Sequence, residues 1–391
     1  MTSNNSMTFR EWLTLIGLTC AAFIFNTSEF IPIGLLSDIA QDFSMSEAQA
    51  GMLISIYAWL VMLLSLPLML LVSRMELRKL LLFVLFLFTI FQVLSACSES
   101  YNWLMLSRVG VACAHSIFWS IVSPMAVRLV PDRFRSLALG MIVTGTSIAT
   151  IFGLPLGRLI GLYLGWRMAF LSIGVLSTLI FAYLFFTLPT LPSRGSFSLQ
   201  RLPELFCRKS LFVLFVLTFL ISGSYYVGYS YIEPFLKQVA GLDDNWITLS
   251  LMIFGASGLL GSFAFSKYYA LRPILFTKIV LLVLTFCLFF LQLSSVSLFS
   301  VLLLFILWGA SVTAYNVSFQ SEIIKHSPAD ATSVSMSVFS GIFNLGIGCG
   351  TWIGGVTCTC WSLSFIGYAG AFFAVLALVY WFRHKSLLYS H

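Results

Sequence analysis

The sequence predicts an all-α membrane protein: twelve transmembrane helices in two pseudo-symmetric six-helix bundles. Three observations predict it: an apolar composition, a succession of long apolar runs, and correspondences between the two halves. Of 391 residues, 59% are hydrophobic and 9% charged. A soluble domain carries about 25% charged residues, so the polar surface that a water-exposed fold needs is missing. The 38 Phe, 10 Trp and 14 Tyr suit lipid-facing helices and interfacial belts.

A spanning helix needs ~20 mostly apolar residues. The first six runs of that kind are Trp12–Leu36, Ala50–Val72, Leu80–Ala96, Trp103–Val127, Leu137–Gly161 and Trp166–Leu188. The second six are Leu211–Phe235, Trp246–Phe265, Ile274–Leu293, Leu298–Ile323, Val334–Val356 and Ser362–Phe382. The polar lead Met1–Arg10 is followed by an apolar run too long for a signal-peptide core, so that run is expected to stay as the first span. The longest polar stretch, 189–210, contains Pro189, Pro192, Gly195, Pro203 and four basic residues. It reads as a linker between an N-terminal bundle, 1–188, and a C-terminal bundle, 211–391. A shift of 195 residues aligns Gly153 with Gly348, Trp166 with Trp361 and Phe170 with Phe365. The first span of each half carries a Glu beside a Pro: Glu29 with Pro32, and Glu233 with Pro234.

Orientation follows from Lys and Arg in the short loops. With an even number of spans, one side holds seventeen of them and the other holds Arg158, Arg167 and Lys237. Both termini are therefore expected in the cytoplasm, with the chain in an inner membrane. The net charge of +7 is scattered singly between apolar runs, which is no nucleic-acid footprint. The eight cysteines are dispersed, and Cys358-x-Cys360 has no partner pair for a zinc site. No phosphate loop, metal-ligand cluster or nucleophile–base pair appears, so no catalytic residue, metal or cofactor is expected. A channel would be an oligomer of few helices and a sensor would carry a signalling domain.

Polar residues inside spans are costly and are functional candidates by default. Glu29 lies about 10 Å deep in span one at 1.5 Å per residue, with Asn26 one turn before it on the same face. A carboxylate in low dielectric is easier to protonate than in water. Glu29 is thus a proton-coupling candidate; the alternative is a structural ion pair. In span four, Arg108, His115 and Trp119 share a face, and Arg108 is a candidate partner for Glu29. His115 is either a substrate hydrogen-bonding group or a proton carrier, the alternative being a histidine satisfied by a neighbour. Span seven carries Tyr226, Tyr229 and Glu233 on one stripe, with Glu233 expected at the interface. Asn316 and Gln320 are four apart in span ten, as are Ser340 and Asn344 in span eleven. Gln320 reads as structural and Asn344 as cavity-lining. Gly153, Pro155 and Gly157 read as a hinge or packing element, since Gly permits close helix approach and Pro bends a helix.

Five stretches carry a resemblance: AAFIFNTSEFIPIGLLSDIAQ (21–41), SRVGVACAHSIFWSI (107–121), GLPLGRLIGLYLGWRM (153–168), YSYIEPF (229–235) and FSGIFNLGIG (339–348). The chain resembles the drug:proton antiporter branch of the major facilitator superfamily, nearest to bacterial sugar efflux transporters of the SotB type. The resemblance implies efflux of small sugars or sugar-like compounds against proton entry, driven by the proton gradient and without a cofactor. It implies that Arg108 acts in proton coupling and that Gly153, Pro155 and Gly157 form the fifth-helix antiporter motif. Glu29, His115 and Asn344 match the subgroup's polar cavity residues. One departure stands out: in the loop Met69 to Lys79, Ser73 replaces the family's Asp and Glu76 its Gly, while Arg74, Arg78 and Lys79 remain. A rebuilt latch there would use Glu76.

A neutral sugar needs donors, acceptors and an aromatic face. His115, Asn344, Trp119, Asn26, Tyr226, Tyr229, Asn316 and Ser340 are the expected binding set; Glu29, Arg108 and His115 are the expected coupling set. The expected partners are a sugar, protons and the lipid bilayer, for a monomer that binds no nucleic acid. The alternative on the same scaffold is an exporter of drugs or amino acids.

Overall fold

The computed structural model describes residues 7–72, 74–192, 202–328 and 332–389; Ser73, Arg194, Gly195 and Arg201 fall outside them. Among the described residues, eleven helices are long and apolar enough to cross a bilayer, and a twelfth apolar helix, Pro273–Phe289, is shorter. In the first half they are α1 (Phe9–Gly34), α2 (Glu47–Val72), α3 (Leu77–Ala96), α4 (Tyr101–Arg128), α5 (Leu137–Leu164) and α6 (Trp166–Thr187). The second half has α7 (Lys209–Gln238), α8 (Asp244–Tyr269), α9 (Pro273–Phe289), α10 (Leu298–His326), α11 (Thr332–Cys360) and α12 (Leu363–Tyr389). The shortest, α9, has 17 residues, or about 25 Å at 1.5 Å per residue, the lower limit for a span. A further turn, Leu291–Ser294, continues it.

Local chemistry sets the boundaries. Ser100 and Ser297 cap α4 and α10, each side chain accepting from the backbone N–H three residues on. Pro273 opens α9 with its fixed φ. Gly165, at φ 89°, separates α5 from α6, and Gly241, at φ 62°, lies in the turn after α7; both angles favour glycine. Two spans carry a π-helical turn, Ala149–Gly153 in α5 and Phe265–Tyr269 in α8. In α5 the cause lies just beyond: Pro155 has no N–H to donate, and its ring presses on the preceding turn.

The contacts divide the chain into two compact units. The first comprises Met1–Pro32 and Leu63–Phe197. Its core helix is α1. A Cβ added at Gly17 would meet Leu184 of α6 at 2.6 Å. Added Cβ atoms at Gly145 and Gly157 of α5 would meet the Thr19 carbonyl and the Ile31 side chain, each at 2.5 Å, and Gly153 faces Thr27. Phe25 stacks between Phe88 of α3 and Phe118 of α4, at 4.0 Å from each. The loop after α2 is tied to the first residues after α6. Leu77 N donates to Leu191 O (2.9 Å), and Leu191 N donates to the Glu76 carboxylate (3.2 Å). Arg78 and Arg128 donate to the carbonyls of Phe185 and Pro192. Arg158, counted with the outer side, is fully buried within α5. Arg167 donates twice to Ser98 O.

The second unit comprises Ile33–Met62 and Ser198–His391, and so includes the first part of α2. Small residues again set the close approaches. A Cβ at Gly354 of α11 would meet Val227 O of α7 at 2.6 Å, and one at Gly355 would meet Tyr231 Oη at 2.7 Å. Without a hydrophobic drive between helices in lipid, such contacts supply the dispersion that holds spans together. Near the end of α10, Tyr269 donates to Glu322 Oε1 at 2.5 Å, and His326 Nδ1 lies 3.4 Å from Glu322 Oε2.

Candidate substrate and proton-coupling residues

Arg108 carries a charge at 1% exposure. Burying such a group uncompensated costs several kcal/mol, and its partners lie on α1. The guanidinium donates to Ser28 Oγ (3.2 Å) and Ser28 O (3.1 Å), and it sits 5.7 Å over the Phe170 ring. Gln92 of α3 donates to the same Ser28 hydroxyl. Sequence reasoning passed over both Ser28 and Gln92. The one glutamine of an otherwise apolar third span was the available signal.

The next residue on α1 is Glu29, whose side chain is 12% exposed. Its Oε2 lies 3.7 Å from His115 Nε2, an ion pair when the imidazole is protonated. The Arg108 charge reaches both residues. His115 packs between Phe25 (6.2 Å) and Trp119 (5.9 Å), and Trp119 meets Phe118 edge-on at 5.3 Å. The structure therefore brings Glu29, Arg108, His115 and Trp119 together in the first unit. Asn26 points elsewhere, donating to Thr146 O of α5 at 3.3 Å, one turn before the π-helical segment.

In the second unit, Tyr225 and Tyr229 stack at 4.9 Å, and their rings lie 6.0 and 6.2 Å from Trp308. Tyr229 also stacks on Phe254 at 4.8 Å. Tyr226 meets Phe343 edge-on, one residue before Asn344. Asn344 is 7% exposed; its Nδ2 donates to Ser340 O at 3.0 Å, while its Oδ1 has no hydrogen-bond partner among the described residues. The same holds for Trp308 Nε1 and Tyr315 Oη, both buried. Buried polar atoms are nearly always hydrogen-bonded, so these three hold unused capacity for a polar ligand. Trp308 and Tyr315 were missed in the sequence, although both lie on the span that carries Asn316. Ser340 is exposed. Gln320 donates to Asn316 within α10, which uses one acceptor of the expected binding residue.

Glu233, expected near the outer end of its span, has a partner within the protein. It is fully buried within the second unit, and it accepts from Ser37 N at 3.1 Å. Its partner comes from a segment nearly two hundred residues away, which no local pattern announces.

Comparison with known proteins adds two findings. The family model described as Major Facilitator Superfamily matches residues 18–346. Two solved structures of a bacterial homologue of the human lysosomal transporter Spinster share the architecture. The inward-facing, occupied form matches with a TM-score of 0.79 at 18% identity, covering 98% of this chain and 98% of that one. The inward-facing, unoccupied form matches with 0.78 at 17%, covering 98% and 99%. At such identity the likeness is one of fold.

Proposed function

This chain belongs to the major facilitator superfamily, and we propose that it exports small sugars or sugar-like compounds across a bacterial inner membrane by proton antiport with alternating access. The observation that carries the coupling half is the Glu29–His115 contact at 3.7 Å beside the buried Arg108. At that distance protonation of either group changes the electrostatic environment of the other. Proton release and substrate binding then compete through His115, which reaches both Glu29 and the Trp119 face. The substrate half is supported by neutral donors and acceptors, Asn344, Trp308 and Tyr315, set among aromatic rings. The sequence resemblance to sugar efflux transporters supports the same reading. His115, Trp119, Asn26, Tyr226, Tyr229, Asn316, Ser340 and Asn344 make up the proposed binding set. The repeat boundaries 1–188, 189–210 and 211–391, the cytoplasmic termini and the monomeric state belong to the same proposal.

A second reading has one observation in its favour. The stacked rings of Tyr225, Tyr229 and Phe254 offer flat faces to an aromatic drug or amino acid. Uptake into inverted vesicles under an imposed pH gradient separates the two. Labelled arabinose should accumulate, lactose should compete and a cationic dye should not. Glu29→Gln should abolish gradient-driven accumulation while sugar exchange continues. Undiminished uphill uptake by that variant would remove Glu29 from coupling.

A further inference from the structure

We propose that the groove formed by α8, α9 and α10 in the second unit binds an anionic diacyl phospholipid, with an acyl chain in the groove and the phosphate on Arg272 and Lys267. The groove has a volume of about 720 Å³, within the usual range of small-molecule sites. Its small lining residues, Gly261, Ala264, Ala310 and Ala314, come from α8 and α10. These two helices meet so closely at Gly261 that any Cβ there would strike the Ala310 carbonyl. Larger apolar side chains, Leu271, Leu275 and Ile279, complete the lining and are 43–75% exposed. A concave apolar channel on a lipid-facing surface holds a chain in place, where a convex ridge would let it slide.

The end of the groove carries the charge. Arg272 lines it, directly before α9, and has no ion-pair partner among the described residues. Lys267 reaches back over the rings of Tyr268 (5.3 Å) and Phe263 (5.9 Å). The π-helical turn Phe265–Tyr269 and the start of α9 at Pro273 bring these two cations to the same end of the helices. A basic pocket between spans, above an apolar channel, is complementary to a phosphodiester headgroup with its acyl tail. A second groove supplies the contrast. It lies along α11 and α12, has a volume of about 480 Å³, and is lined by Trp352, Trp361, Phe365 and Tyr368 without any Lys or Arg. It offers a chain somewhere to lie but gives no reason to discriminate between headgroups.

Native mass spectrometry of the full-length protein in detergent tests this. Phosphatidylglycerol and phosphatidylcholine of identical acyl chains are titrated separately. The wild type should retain phosphatidylglycerol more tightly than phosphatidylcholine. At about 1 kcal/mol per basic residue, Arg272→Gln should weaken phosphatidylglycerol about fivefold and the Arg272→Gln/Lys267→Gln double variant about thirtyfold. Both changes are at exposed positions. Lys209→Gln, at an exposed lysine opening α7, should leave retention unchanged. Three results would each overturn the proposal: no headgroup preference in the wild type, full retention by the double variant, or an equal loss in Lys209→Gln.

Discussion

Arg108 shows how a charge is kept away from water. One hydroxyl and one backbone carbonyl of Ser28 accept from it, a ring lies beneath it, and Glu29 follows in the chain. The sequence placed this arginine at the depth of Glu29 and named the carboxylate as partner. The contacts to Ser28, a side chain with no charge to attract notice, were not legible. His115 and Asn344 were legible because polar residues are rare in spans. Truncating either to Ala should weaken sugar binding by about two- to tenfold, the worth of one hydrogen bond at 0.5–1.5 kcal/mol. Titration calorimetry on the purified protein reads this directly, and wild-type affinity in both variants would make the two residues structural.

Among elements, α5 shows most plainly how composition becomes packing. Gly145, Gly153 and Gly157 lie along α1, and Pro155 puts the π-helical turn, which ends at Gly153, between the first contact and the last. Gly157→Val should force α5 off Ile31 and destabilise the fold by about 1–3 kcal/mol, as overpacking does. A thermal unfolding scan in detergent would register it, and an unchanged midpoint would mean that the helices shift freely. The glycine–proline pattern and the existence of every span were readable from composition and period. The π-helical turns were not, because they depend on which carbonyl a neighbouring turn leaves unpaired. The break in α7 at Ser230–Tyr231 was likewise hidden inside the run Leu211–Phe235.

For the molecule as a whole, the proposed topology rests on charge bias and repeat. Bias in short loops sets topology through the sum of many weak terms, so one misplaced residue does little harm. Arg158 is that residue: buried in α5, it contributes nothing to a loop. A fluorescent reporter fused after His391 should glow, since it folds in the cytoplasm. An alkaline phosphatase inserted at Gly241 should be active, since it folds outside. The reverse pattern would invert the proposed orientation. The grouping of residues 33–62 with the second unit was not visible, because hydropathy reports burial in lipid and not which neighbour supplies it.

Trp308 has an optical consequence. Its indole is enclosed by Tyr225, Tyr229, Phe254 and Phe305, at 5.5 to 6.2 Å between ring centres. Two phenols at that range pass excitation to it efficiently, so light absorbed by either tyrosine emerges as indole emission. The indole N–H has no acceptor among the described residues, which leaves the emission blue. A sugar hydroxyl accepting from that N–H would redden and dim it. The protein thus carries its own dye for ligand occupancy, and replacing by Phe the eight tryptophans other than Trp308 and the binding-set Trp119 would simplify the signal.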